Sequence, residues 1–322
     1  MEFEQIKDIS LAPMEGVTGP VFRRVHKKHF TGVDRYFTPF LAANKTHHFK
    51  RRETREFLPF DPGLVPQVLT SSAEDFIWAA KALADAGYKE VNINLGCPMA
   101  TVVTKHKGAG MLLDRDYLER FFDTVFSESD MPRISVKTRL GFSSPDEAVP
   151  LGKLYGAYPF SEVVIHARVR EDFYNKPVNL SAFSKMAEQL SCPVCYNGDI
   201  RSILDLQVLM HDFPTIDRVM IGRGLLANPA LAGKIRNYES GTDNFKEYPS
   251  VSEIERYLSD LWNEYSQELS GDRDVLFKMK ELWFHMGSLF PKHQKALDTI
   301  RKCKTSDEYH RAVDQILSTS FL

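Results

Sequence analysis

Eight short apolar or β-branched runs, each followed by an amphipathic stretch, recur between residue 8 and about residue 235 of this 322-residue chain. They are ISLAP (9–13), DRYFTP (34–39), VPQVL (65–69), VNINL (91–95), ISVKTR (134–139), VVIHAR (163–168), VCYN (194–197) and RVMIG (218–222). Such alternation calls for parallel strands covered by helices. Eight repeats fit a (β/α)8 TIM barrel, whose usual size is about 250 residues. A doubly wound open sheet competes, but no G-x-G-x-x-G follows the first run. Helix punctuation agrees with the alternation. Ser72 and Asp75 predict a capping box before FIWAAKALADA, with Gly87 as its stop; Ser144, Pro145 and Glu147 predict a second.

NYESGTDNFKEYPS (237–250) has the glycine, proline and polar residues of a linker. Beyond it the pattern is helical. Val251, Ile254, Leu258, Leu261, Tyr265 and Leu269 share one stripe, and later segments break at Gly271, Pro291 and Thr305. A bundle of about four helices is expected, dividing the chain into a barrel (1–240) and a helical domain (241–322).

With 43% hydrophobic and 26% charged residues the composition is that of an ordinary soluble protein. No stretch approaches a transmembrane span, and MEFEQIKDIS lacks the features of a signal peptide. Cys97, Cys192, Cys195 and Cys303 make no disulfide framework, so a cytoplasmic location is expected. In an extended strand Cys192 and Cys195 would hold their Cα atoms roughly 10 Å apart, beyond disulfide reach. No second C-x-x-C completes a zinc site, and no metal is expected. A net charge of −2 excludes a uniformly basic nucleic-acid binder. Yet RRVHKK (23–28), KTHHFKRRETR (45–55) and the group Lys292, Lys295, Arg301, Lys302 and Lys304 are basic. Such runs are ordinarily solvated faces; they can also be an electrostatic footprint for RNA.

Steps of two along the strands turn Asn92, Asn94, Lys137, Arg139, His166, Arg168, Cys195 and Asn197 inward. Such groups are costly to bury without partners. They gather near the last residues of consecutive strands, where barrel enzymes build their sites, and Cys97 follows strand four in NINLGCP (92–98). NGDI (Asn197, Gly198, Asp199) after strand seven and IGRG (Gly222, Arg223, Gly224) after strand eight suit a phosphate. Pro13 and Met14 after strand one and Gln67 in strand three offer neutral surfaces for a flat ring. Flavin mononucleotide (FMN) fits this set; a sugar phosphate or another phosphorylated ligand remains an alternative.

LAPMEGVTGPVFR, VPQVL, NINLGCP with the later VVTKHKGAGMLL, VKTRLGF, IHAR, YNGDI and IGRGLLANP, in this order, resemble the dihydrouridine synthases from about residue 9 to 235. The resemblance implies an FMN-dependent barrel enzyme that reduces uridines in transfer RNA with NADPH, acting as a monomer. It implies Cys97 as proton donor, and Asn94, Arg139 and Arg168 as substrate contacts. Pro13, Met14, Gln67, Lys137, His166, Asn197, Gly198, Asp199, Gly222, Arg223 and Gly224 would hold the flavin, and the helical tail would grip RNA. The chain departs from the family at strand six. His166-Ala167-Arg168-Val169 stands where H-G-R-T is usual, and REDFYNKPVNL lacks the G-Y…D-W ending. Two rivals are weighed. An FMN dehydrogenase of a free pyrimidine such as dihydroorotate would not need the basic clusters and tail. A non-catalytic RNA-binding barrel would not need Cys97, Asn94, Lys137 and His166 together.

Overall fold

The structure is a computed structural model and describes residues 6–241 and 248–318. Residues 242–247 of the expected linker lie outside the described residues. All eight expected strands form: Asp8–Leu11 (β1), Arg35–Phe37 (β2), Leu64–Val65 with Gln67–Leu69 (β3), Glu90–Asn94 (β4), Arg133–Arg139 (β5), Glu162–His166 (β6), Val194–Asn197 (β7) and Arg218–Ile221 (β8). Every neighbour is parallel, in the order β3-β4-β5-β6-β7-β8-β1-β2-β3. Closure runs through Pro66, which has no N–H to donate to a ladder. Leu64–Val65 on one side of it pairs with β2, and Gln67–Leu69 on the other pairs with β4. The carbonyl of Pro66 still accepts from Asn92 N at 2.9 Å. A two-residue strand that the pattern did not announce, Leu41–Ala42, adds to the outside of Gln67–Leu69.

Alternation along the strands sorts two cores. Ala12, Phe37, Val65, Val164, Cys195 and Met220 fill the barrel interior, whereas Val91, Ile93, Ile134 and Val136 meet the surrounding helices. Ser72 caps helix Ala73–Asp85 by accepting from Asp75 N at 3.1 Å. The expected reciprocal arm is replaced: the Ser72 N–H donates to Thr70 Oγ1 at 3.1 Å, and the Asp75 carboxylate lies 3.4 Å from His47. The box at Ser144 and Glu147 forms on both arms.

The first residues of six strands are charged and alternate in sign around the lower end: Asp8, Arg35, Glu90, Arg133, Glu162 and Arg218. Arg35 donates to Asp8 and to Glu162, each at 2.8 Å, and lies 3.7 Å from Glu90. Arg218 and Arg133 continue the ring to Glu162 and Glu90, each at 3.3 Å. Glu162 is only 2% exposed and its pKa is raised by burial, against the pull of Arg35.

Four helices follow among the described residues after 248: Val251–Glu268, Asp272–Met286, Gln294–Lys302 and Ser306–Leu317. They dock through the first barrel helix, Pro20–His29. Tyr257 packs edge-on against Phe30 with centroids 5.1 Å apart. Arg24 pairs with Glu264 at 2.6 Å and Glu268 at 2.9 Å, and Lys28 with Asp260 at 2.7 Å. Arg23 and Lys27 are bound to Glu56 and Asp61. The four cations of RRVHKK thus stand in internal ion pairs, most of them fastening the tail.

Removing Arg35 would take from Asp8 its guanidinium partner and leave buried Glu162 with Arg218 alone. Arg35→Met is expected to lower stability by about 3 kcal/mol, the cost of breaking a buried pair from one side. Urea unfolding measures it, and a loss within error of zero would contradict a structural role for the ring.

Candidate active site

The upper end of the barrel opens into a cavity of about 740 Å³. Pro13 and Met14 border it from the β1 loop, Gln67 from β3, Asn94 and Cys97 from β4 and its loop, and Lys137 and Arg139 from β5. His166 comes from β6, Asn197, Gly198 and Asp199 from β7 and its loop, and Gly222, Arg223 and Gly224 from the β8 loop. The strand count thus brings together every expected site residue except Arg168. That side chain is 2% exposed and stands behind the wall, where the chain turns after β6. Its Nε donates to Lys176 O at 2.6 Å, Nη1 reaches His166 Nε2 at 3.2 Å and Nη2 pairs with Asp199.

Cys97 is held by a relay of amides. Ser135 Oγ accepts from Asn92 Nδ2 at 2.9 Å, Asn92 Oδ1 from Gln67 Nε2 at 2.7 Å, and Gln67 Oε1 from Asn94 Nδ2 at 2.6 Å. Asn94 Oδ1 then accepts the backbone N–H groups of Gly96 at 3.1 Å and Cys97 at 3.0 Å. Arg139 Nε donates to Gly96 O at 2.8 Å, and its Nη1 to Val169 O and Phe173 O. The loop bearing the thiol is thus fixed to β3, β4, β5 and the segment after β6. Burial raises the Cys97 pKa, and the Met99 N–H, Arg139 and Lys137 offset this only in part. The thiol therefore keeps its proton through neutral pH.

Cations dominate the rest of the wall. Lys137 Nζ makes no hydrogen bond or ion pair among the described residues. Burial and then Arg139 lower its pKa to about 8. His166 is held well below its usual range by burial and by Arg139, Lys137, Arg168 and Arg223. Because arginine can only donate, His166 Nε2 accepts from Arg168 and the imidazole proton sits on Nδ1. Asp199 alone answers these charges directly, pairing with Arg168 and, at 2.6 Å, with Arg223. Burial pushes its carboxyl up, but the two arginines pull it below the ordinary range. Its backbone has φ of 36°, a conformation that costs a non-glycine residue of order 1–3 kcal/mol.

Some wall residues have no counterpart in the sequence reading. Tyr174 stacks on His166 with centroids 5.8 Å apart, and the guanidinium groups of Arg139 and Arg223 lie 5.3 and 5.4 Å from its ring. Phe173 before it has φ of 48°, the left-handed backbone that glycine adopts most easily. The unusual REDFYNKP stretch was the available signal. Phe284 and His285 reach the cavity from helix Asp272–Met286, a placement that requires the tertiary fold.

A family model described as Dihydrouridine synthase (Dus) matches residues 10–321. The tRNA-dihydrouridine(16) synthase of Aquipseudomonas alcaligenes is 26% identical, over 97% of this chain and 99% of that protein. The enzyme of the same name from Cupriavidus necator is 30% identical over 78% of this chain and 80% of its own. Among solved structures, an old yellow enzyme homologue from Zymomonas mobilis has a TM-score of 0.51 at 12% identity, covering 74% of this chain and 90% of that one. At that identity it shows the barrel fold alone.

Lys137 is charged below pH about 8 and neutral above it. An anionic ligand beside it favours the charged form, so binding takes up a proton above that pH. The affinity of the apoprotein for an anionic flavin is expected to fall as pH rises through about 8. Lys137→Met should weaken binding about tenfold at neutral pH, the loss of one hydrogen bond to a charged group, and flatten the pH dependence. Calorimetric titration across the range checks both, and an unchanged profile in the variant would remove Lys137 from the flavin site.

Proposed function

The chain belongs to the dihydrouridine synthase family, and from that premise we propose that it reduces uridines of transfer RNA to 5,6-dihydrouridine, with bound FMN and with NADPH as reductant. The observation that carries this reading is a protonated thiol, Cys97, fixed at the edge of a cationic barrel mouth. On the same reading residues 1–240 form the FMN-binding catalytic domain and 241–322 a helical RNA-binding domain.

The residues suit FMN. Lys137 is an unanswered cation aimed into the cavity, and Arg223 offers a guanidinium beside two glycine turns. A Cβ on Gly222 would project 3.3 Å from Ala12 Cβ and 3.5 Å from Met14 Sδ, into the floor a ring system would use. A Cβ on Gly224 would lie 2.1 Å from Ile200 O, so the β7 and β8 loops meet only because glycine stands there. Lys137, His166, Gln67 and Asn197 would face the ring, with Pro13 and Met14 beneath it. Gly198, Asp199, Gly222, Arg223 and Gly224 would surround the phosphate. A volume of about 740 Å³ is within the usual range for a ligand pocket. The chemistry such a flavin would supply, once reduced by NADPH, is a hydride to C6 of the uracil.

The chain's own residues do the remainder. Cys97 gives its proton to C5, and the thiolate left behind is stabilised by Arg139, Lys137 and the Met99 N–H that already bear on it. Being half-buried, it can regain a proton from solvent. Asn94 is assigned two tasks. Its carbonyl sets the thiol loop, and one N–H left free after the bond to Gln67 can meet a uracil carbonyl. Arg139 ties the loops on either side of the substrate space. Arg168 is assigned a positioning role, because its contacts orient His166 and Asp199 from behind. A uridine in folded RNA must leave its stack to enter such a cavity, and Tyr174 offers an aromatic face beside it.

Two measurements test the reading. Mapping dihydrouridine in cellular RNA with and without this gene should show loss at defined transfer-RNA uridines, with position 16 examined first because the named relatives carry that number. No change at any site would overturn the function. Cys97→Ala should keep FMN and RNA binding while reduction falls by about 10²-fold or more, the usual contribution of a positioned acid. Full activity in that variant would take Cys97 out of the chemistry.

A further inference from the structure

We propose that a second groove, beside the reaction cavity, holds an unstacked nucleotide of the same RNA strand, adjacent to the target uridine. The inference rests on the RNA-modifying function above and names where the strand runs on the helical tail. Helix Asp272–Met286 carries Phe277 and Phe284, 61% and 83% exposed. Seven residues apart, they stand on one face of the helix about two turns from each other. Isolated exposed aromatics need no explanation, but these two wall one groove of about 790 Å³. Its polar edges include Ser288, Gln294 and Glu281, with Arg301 paired to Asp298 at 3.2 Å. Flat apolar walls with donors and acceptors at the rim suit a nucleobase.

Continuity identifies the occupant. Phe284 and His285 border both this groove and the reaction cavity. Asp298 borders the groove and also a shallower hollow flanked by Lys295 and Lys302. Neither lysine has an ion pair among the described residues. The track therefore runs from the uridine site, over two aromatic rings, to free cations. A base stacks on an aromatic face whatever its identity, and the following phosphate is answered by lysine.

The test uses the FMN-loaded, full-length protein and an unmodified transfer-RNA transcript. Phe277 borders the groove but not the reaction cavity. Phe277→Ala should raise KM for RNA about tenfold, the loss of one base–aromatic stack, with kcat and flavin reduction by NADPH unchanged. Phe277→Tyr should restore KM, whereas Phe277→Leu, apolar but without a π face, should not. Lys295→Ala with Lys302→Ala should raise KM and reduce its salt dependence. If KM is unmoved in both the Phe277→Ala and the lysine variants, the groove serves something else, such as a protein, and the proposal fails. Wild-type protein that forms no dihydrouridine would instead overturn the function on which it rests.

Discussion

The two ends of the barrel are electrically different, and much of the molecule follows from that difference. At the floor, three carboxylates and three guanidinium groups occupy the first residues of six strands and alternate in sign. Each has an opposite neighbour, so burying the ring creates no unanswered charge. At the mouth, Lys137, Arg139, Arg168 and Arg223 surround His166, and Asp199 pairs with two of them, Arg168 and Arg223. Charges in such a place are tolerable only with partners, and the anionic cofactor proposed above would complete the balance. A closed floor and an electron-deficient mouth make one end of a parallel barrel structural and the other receptive.

A receptive mouth is useful only if the reacting group cannot wander. The amide relay from Ser135 through Asn92, Gln67 and Asn94 to the Cys97 backbone crosses three strands before it reaches the loop. Arg139 and Arg170 fasten the same loop from the opposite side, the latter through Pro98 O at 3.2 Å. The thiol inherits the rigidity of the sheet although it stands on a connection. The tail is placed by the same economy of paired charge. Arg24 and Lys28 clamp helix Val251–Glu268, and the next helix then delivers Phe284 and His285 to the cavity edge.

Strands were legible because alternation is a local property. A residue two positions along faces the same way, so Asn94, Lys137, Arg139 and His166 could be assigned to one mouth without coordinates. Arg168 was harder, because β6 ends at His166 and the period of two ends with it. Beyond that point the chain turns, and the guanidinium goes behind the wall. Basic runs were ambiguous for another reason. Composition reports a charge but not its partner, and the carboxylates that answer Arg24 lie 240 and 244 residues away. The capping box at Ser72 lacks its second arm because Thr70 Oγ1, two residues earlier, takes the Ser72 N–H. Tyr174 and Phe284 belong to the class that no local pattern marks: their places depend on where a strained turn and a docked helix come to rest.

The proposed role of Cys97 raises the question why a thiol beside so many cations would act as an acid. In an open electropositive site a cysteine loses its proton and becomes a nucleophile or metal ligand. Here Arg139 and Lys137 do pull in that direction, yet desolvation is the larger influence and the pKa rises. The neighbouring cations are themselves restrained: Arg139 is committed to three backbone carbonyls, and Lys137 titrates near 8. Their pull on the resting thiol is thus moderated, while their charge remains available once a negative sulfur has formed. Proton donation requires this combination, an acid that holds its proton at rest and a conjugate base that is not abandoned. NINLGCP would meet that requirement by placing Cys97 between a glycine whose carbonyl engages Arg139 and a proline whose carbonyl engages Arg170. Half-buried at a cationic rim, the thiol is close enough to the charges to use them and desolvated enough not to surrender to them.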